Sequence, residues 1–138
     1  MTILVADDNA FSRELMRELL EVSGHVILEA VNGRNALDLI RLRGPDLVFL
    51  DLQMPLQDGF SVIQELRNDS RFHQLPVVAL TASAMIGDRE RAIAAGFDSY
   101  IAKPIDLCEV EAQVEALALR SRIDRHTVLS NGSKLNTA

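Results

Sequence analysis

Short apolar runs alternate with longer segments of helical periodicity along most of the chain. The runs Ile3–Ala6, Val26–Ala30, Leu47–Leu50, Val77–Leu80 and Ser99–Ala102 have the length and character of strands. Between them, apolar residues recur at helical spacing: Phe11, Leu15, Leu19 and Val22, then Ala36, Leu37 and Ile40, then Phe60, Ile63 and Leu66. A last helical segment gathers Leu107, Val110, Val114 and Leu117 on one face, with Asp106, Glu109, Glu111 and Glu115 mostly off it. Asn9 and Asn32 stand where helices should begin, because an Asn side chain can accept from N–H groups that a first turn leaves unpaired. Gly24, Gly44 and Gly96 stand where helices should stop. Gly87 falls early in the expected fourth helix, where glycine costs about 1 kcal/mol relative to alanine.

This alternation predicts an α/β fold, a doubly wound five-stranded parallel sheet with helices on both faces. The first, third and fourth strands are nearly all apolar, so they belong at the centre, buried on both sides. The second carries Glu29 and the fifth carries Ser99 and Tyr100, which suits the edges and the order 2-1-3-4-5. From Arg120 onward the pattern fails. Residues 120–138 set Arg120, Arg122, Arg125 and Lys134 against one acid, Asp124, among scattered Ser, Asn and Gly. The expected organisation is one domain over residues 1–119 and a flexible tail or linker stub over 120–138.

Composition narrows the function. Lys and Arg total 14 against 20 Asp and Glu, a net charge of −6, which argues against direct nucleic-acid binding. No apolar stretch approaches membrane-spanning length, and the N-terminus lacks a signal-peptide layout, so a cytoplasmic protein is expected. The single cysteine, Cys108, excludes an internal disulfide and reads as a small packing residue beside an apolar stripe. His25, His73 and His126 sit in unrelated contexts and form no metal cluster.

In a doubly wound sheet, ligands bind beyond the carboxyl ends of the strands. Asp7 and Asp8 follow the first strand, Asp51 the third and Thr81 the fourth, while Lys103 falls within the end of the fifth. Each alone has an ordinary explanation: a turn, a helix cap, a strand reaching water or a solvated lysine. At the ends of adjacent strands they make one pocket. Its carboxylates would repel one another unless a cation joined them. Oxygen donors without His or Cys suit Mg²⁺ or Mn²⁺. The Lys and Thr suit a phosphoryl group, which makes Asp51 a candidate carboxylate nucleophile forming an aspartyl phosphate.

The stretches "ILVADDN" (3–9), "PDLVFLDLQMPLQDGF" (45–60), "LPVVALTA" (75–82) and "AAGFDSYIAKPI" (94–105) carry a resemblance that spans residues 1 to about 119. In order and spacing they resemble the receiver domain of bacterial two-component response regulators, a flavodoxin-like fold. The resemblance implies a phosphorelay switch. A histidine kinase or histidine phosphotransfer protein would donate to Asp51, and a downstream protein would read the result. It further implies that Asp8, Asp51 and the Gln53 backbone carbonyl coordinate Mg²⁺ directly, with Asp7 acting through water. Lys103 would pair with phosphoryl oxygens, Thr81 would move to bond the phosphate, and Tyr100 would rotate inward behind it.

Gln53 and Ser83 occupy positions where the family tunes hydrolysis, and neither is acidic, so a phosphorylated lifetime of minutes or longer is expected. Phe11 and Pro104 are candidates for donor docking, although core packing beside Leu15 is the favoured expectation for Phe11. For Tyr100 the competing expectation is an amphipathic edge-strand residue. Phosphorylation-dependent homodimerisation stays open.

Three other readings compete. Haloacid-dehalogenase-like phosphatases place their Asp nucleophile after the first strand, which does not match the lone Asp51 after the third. A flavodoxin-like nucleotide binder needs a hydroxyl- or glycine-rich first loop, where Asp7 and Asp8 would repel phosphate. As to output, a single-domain regulator is preferred over part of a hybrid kinase or longer regulator, because Met1 directly precedes the first strand and the tail is short, and a phosphorylation-independent binding module is the remaining alternative.

Overall fold

A computed structural model describes residues 1–82 and 87–119. The expectations for Ser83, His126 and the segment 120–138 lie outside the described residues. The elements in order are β1 (Thr2–Ala6), α1 (Ala10–Val22), β2 (Val26–Ala30), α2 (Gly33–Arg43), β3 (Leu47–Asp51), α3 (Gly59–Asn68), β4 (Val77–Thr81), α4 (Asp88–Ala95) and β5 (Ser99–Ala102). A further helix, α5, spans 107–119. The strands pair in parallel in the order β2-β1-β3-β4-β5, as the apolar pattern predicts.

Side-chain alternation splits the core in two. Leu4, Ala6, Val48, Leu50, Val77 and Ala79 face one side, against Ile40 of α2, Ile63 and Leu66 of α3, and Ala92 of α4. Ile3, Val5, Phe49, Val78, Leu80 and Ile101 face the other, against Met16 and Leu20 of α1 and Val110, Val114 and Leu117 of α5. β1, β3 and β4 are buried almost throughout, while β2 and β5 are only partly covered, as edge strands are.

Asn9 and Asn32 cap α1 and α2 through their side chains, and Asp58 does the same for α3. Gly44 and Gly96 close α2 and α4, whereas α1 closes on Ser23 with Gly24 one residue beyond. Gly87 is the N-cap of α4 rather than an interior residue, at φ 92°, so it imposes no helix-interior penalty.

Two packing expectations are corrected. Met16 and Leu20, not Phe11 and Val22, form the buried stripe of α1; Phe11 is 70% exposed and Val22 88%. Both stripes satisfy helical spacing, and only docking on the sheet chooses between them. Cys108 is an exposed free thiol, two residues before the buried Val110 of α5.

Arg67, in the last turn of α3, ties together chain segments distant from it. Its Nε donates to the Gly96 carbonyl at 2.8 Å, and Nη1 reaches the carbonyls of Phe72 (3.0 Å), His73 (3.2 Å) and Leu75 (2.8 Å). Its Nη2 pairs with Asp98 Oδ2 at 3.0 Å, and that oxygen also accepts from the Val77 N–H at 2.8 Å.

Candidate functional site

The polar residues that end the strands converge. β3 and β4 each run one residue further than expected, so Asp51 and Thr81 belong to the strands, buried at 4% and 2% exposure. Asp7, fully buried, and Asp8, exposed, leave β1 beside them. One carboxylate oxygen from each of Asp7, Asp8 and Asp51 lies within 4.8 Å of the others. Lys103 follows β5 and is anchored by its N–H, which donates to the Thr81 carbonyl at 2.7 Å. Its Nζ lies 2.9 Å from Asp51 Oδ2 and 3.0 Å from Asp7 Oδ2. Asp51 Oδ1 accepts from the Gln53 N–H at 2.9 Å, although the Gln53 side chain itself is exposed.

Three carboxylates against one ammonium leave the pocket net negative. Burial raises the Asp51 pKa, and the nearby Asp7 charge adds to the rise, against the pull of Lys103 and the Gln53 N–H. Burial also opposes the Lys103 charge, but its hydrogen bond to Asp51 and the adjacent Asp7 charge more than reverse that, so its pKa is raised. Asp7 Oδ2 accepts no hydrogen bond of good geometry despite its complete burial; Lys103 meets it as an ion pair. An oxygen-only donor set, crowded negative charge and unused acceptor capacity fit a hard divalent cation.

The crowding has a measurable consequence in the absence of metal. Asp51→Asn is expected to raise stability by about 1 kcal/mol at neutral pH, in urea titrations with chelator present. The sign follows from the raised Asp51 pKa. A group with a raised folded-state pKa contributes stability below its unfolded pKa and loses it as pH rises through the folded value. The asparagine mimics the protonated acid, so its advantage should vanish once the pH falls below the ordinary carboxylate range. An unchanged or lowered midpoint at neutral pH would contradict this.

The model of the response regulator receiver domain matches residues 3–115. The chain belongs to that family. Among curated relatives, the polar-differentiation response regulator DivK of Brucella anthropi is 40% identical over 106 residues, covering 77% of this chain and 86% of DivK. Among solved structures, the receiver domain of the Francisella response regulator 1452 superposes with a TM-score of 0.82 at 29% identity, covering 87% of this chain and 98% of that one. The receiver domain of a sensor histidine kinase from Pseudomonas aeruginosa PAO1 gives 0.77 at 28%, over 84% and 95%; that domain has a magnesium ion coordinated in its active-site cleft.

Within this receiver, Tyr100 lies on β5, three residues before Lys103. It is half-buried on β5 against the core face shared by α2, α3 and α4. Burial raises its phenol pKa, with the charges of Asp88 and Glu90 on α4 adding to the effect. Phe11, Leu15, Pro104, Ile105 and Leu107 line an apolar groove of about 210 Å³ between α1 and the segment after β5, and Lys103 also lines it. A more open polar depression lined by Arg41, Glu65, Asn68, Asp69 and Ser70 contains none of the acidic-pocket residues.

Two residues that the pattern of strand ends does not flag support the turn after β1 that carries Asp7 and Asp8. Arg13 donates to the Asp7 carbonyl, and Glu29 on β2 pairs with Arg13. Glu29 is visible in the sequence only as a polar residue that marks an edge strand.

Proposed function

We propose that this receiver is a phosphorylation-activated switch of a two-component phosphorelay, with Asp51 as the phosphoacceptor and a histidine kinase or histidine phosphotransfer protein as the donor. The observation that carries the reading is the Asp51 carboxylate at the end of β3, 2.9 Å from the Lys103 ammonium and within 4.8 Å of Asp7 and Asp8 oxygens. Asp7, Asp8 and Asp51, with the Gln53 carbonyl, would hold Mg²⁺ or Mn²⁺, which when bound supplies neutralisation of charge on the phosphoryl oxygens. The likeness to the Pseudomonas receiver with its magnesium supports this choice of ion.

An Asp51 carboxylate oxygen attacks phosphorus, and the bond from phosphorus to the donor imidazole nitrogen breaks. The electron pair leaves with the imidazole, which keeps or takes up one proton. Lys103 moves its charge onto the phosphoryl oxygens, and the Thr81 hydroxyl donates to one of them. The added negative charge then biases a two-state surface around Tyr100 and α4, which a downstream protein reads. The chain thus catalyses its own modification rather than turnover of a separate substrate. The switch domain is assigned to residues 1–119 in the cytoplasm.

Intact-mass analysis after incubation with Mg²⁺ and acetyl phosphate tests this. One phosphoryl group should appear on the wild type, none on Asp51→Asn, and none with excess chelator. Equal incorporation into the Asp51→Asn variant would assign the acceptor elsewhere. No incorporation from either acetyl phosphate or a phosphohistidine donor would remove the switch chemistry altogether.

The groove beside Lys103 suits the apolar side chains that flank a donor histidine, and Phe11, exposed on α1, lines it. Phe11→Asp is expected to slow transfer from a phosphotransfer protein at least about tenfold, because a desolvated apolar anchor contributes more than 1.4 kcal/mol. Its rate with acetyl phosphate should change far less. Equal slowing with both donors would show damage to the acidic pocket instead.

A further inference from the structure

Asp7 is gripped through its main chain as well as its carboxylate. Its N–H donates to the Ala30 carbonyl at 3.1 Å, and its Oδ1 accepts from the Asn9 N–H at 2.9 Å. Its own carbonyl accepts from Arg13 Nη1 at 2.8 Å. Arg13 lies in the first turns of α1 with its side chain only 15% exposed, and its Nε donates to Glu29 Oε1 at 3.0 Å. The second oxygen of Glu29 accepts from Arg17 Nη1, also at 3.0 Å. Two arginines of one helix thus clamp a carboxylate on the outer strand, and one of them continues to the turn that carries the first two acids of the pocket.

A charged residue on an outer strand ordinarily only discourages edge pairing, and an exposed ion pair contributes little. This one differs in three respects. Both Glu29 oxygens are engaged, Arg13 is largely buried, and another Arg13 donor goes to the Asp7 carbonyl rather than to water. By contrast, the Asp8 carboxylate is exposed and no hydrogen bond to it is seen among the described residues.

We propose that Arg13 is a positioning residue of the acidic pocket: it fixes the Asp7 carbonyl, and so the angle at which Asp7 and Asp8 meet a divalent cation, while Glu29 holds its guanidinium on that carbonyl and away from the acids. The inference rests on the metal-binding reading above. The sign of one effect separates it from simple electrostatics. Removing a positive charge near three carboxylates would tighten cation binding. Losing the support of the turn weakens it, as loss of groups that orient metal ligands commonly does.

The full chain is titrated with Mg²⁺ and followed by amide NMR, at a temperature where melting curves show each variant folded. Arg13→Met is expected to bind Mg²⁺ about tenfold more weakly than wild type. Arg13→Lys should lose nearly as much, because an ammonium keeps the charge but has no planar fork to join Glu29 to the Asp7 carbonyl. The metal-free Arg13→Met and Glu29→Gln spectra should share displaced amide signals for Asp7, Asp8 and Asn9.

Equal or tighter Mg²⁺ binding by Arg13→Met overturns the proposal, and unmoved Asp7–Asn9 signals in Glu29→Gln remove the part given to Glu29. A wild-type chain that takes up no Mg²⁺ overturns the metal reading, and this inference with it.

Discussion

Arg67→Ala is expected to lower the unfolding free energy by about 3–5 kcal/mol, measured by urea titration, with the thermal midpoint falling by more than about 10 °C. The Arg67 side chain is 18% exposed, and its guanidinium pairs with Asp98 Oδ2 at 3.0 Å. It also donates to the carbonyls of Gly96, Phe72, His73 and Leu75. Truncation removes a partner from a partly buried carboxylate and from four carbonyls at once, and each acceptor deprived of its partner costs about 1 kcal/mol or more. Discounting the more exposed His73 contact for solvent leaves the range stated. Arg67→Lys should recover less than half of the loss, because a single ammonium cannot span the same acceptors. A loss below 1 kcal/mol for the alanine variant would mean that water replaces the guanidinium readily. The interaction fastens the C-terminal end of α4 and the start of β5 to α3.

Lys103→Met is expected to separate two properties of the acidic pocket. Phosphoryl incorporation from acetyl phosphate should fall by about 100-fold or more, the usual scale for loss of a positioned charge that stabilises a transition state. Mg²⁺ affinity should rise in the same variant, because the ammonium at 2.9 Å from Asp51 and 3.0 Å from Asp7 competes with the cation for those oxygens. Rapid-quench phosphorylation at saturating Mg²⁺, paired with a Mg²⁺ titration, reads both. Tighter metal with unimpaired phosphorylation would take Lys103 out of the chemistry. Weaker metal would indicate that the pocket had collapsed.

The strand order and the acidic pocket were legible because they depend on local alternation. An apolar run that ends in a charge is visible at Asp51 and at Asp7-Asp8, and parallel pairing then brings those ends together. The face of α1 was not legible, since Phe11, Leu15 and Val22 satisfy helical spacing as well as Met16 and Leu20 do. Position over the sheet decided the matter, and a helix pattern carries no record of that. The Arg67 and Arg13 contacts were hidden for a different reason. Most of their acceptors are main-chain carbonyls, which any residue type supplies, so no residue pattern marks them. The N-cap role of Gly87 lay within the ordinary uncertainty of a helix boundary.

Gly59 opens α3 directly against the chain that carries Asp51. A Cβ at this position would lie 2.7 Å from the Asp51 carbonyl oxygen and 2.8 Å from the Leu52 Cα. Both obstacles are backbone, so neither can rotate aside. Strand end and helix start therefore behave as one machined joint without clearance. A saturation library at position 59, sorted for phosphorylation, should return glycine alone, whereas the exposed Gln53 should accept many side chains. Anyone transplanting the Asp51 loop into another scaffold would have to carry α3 with it.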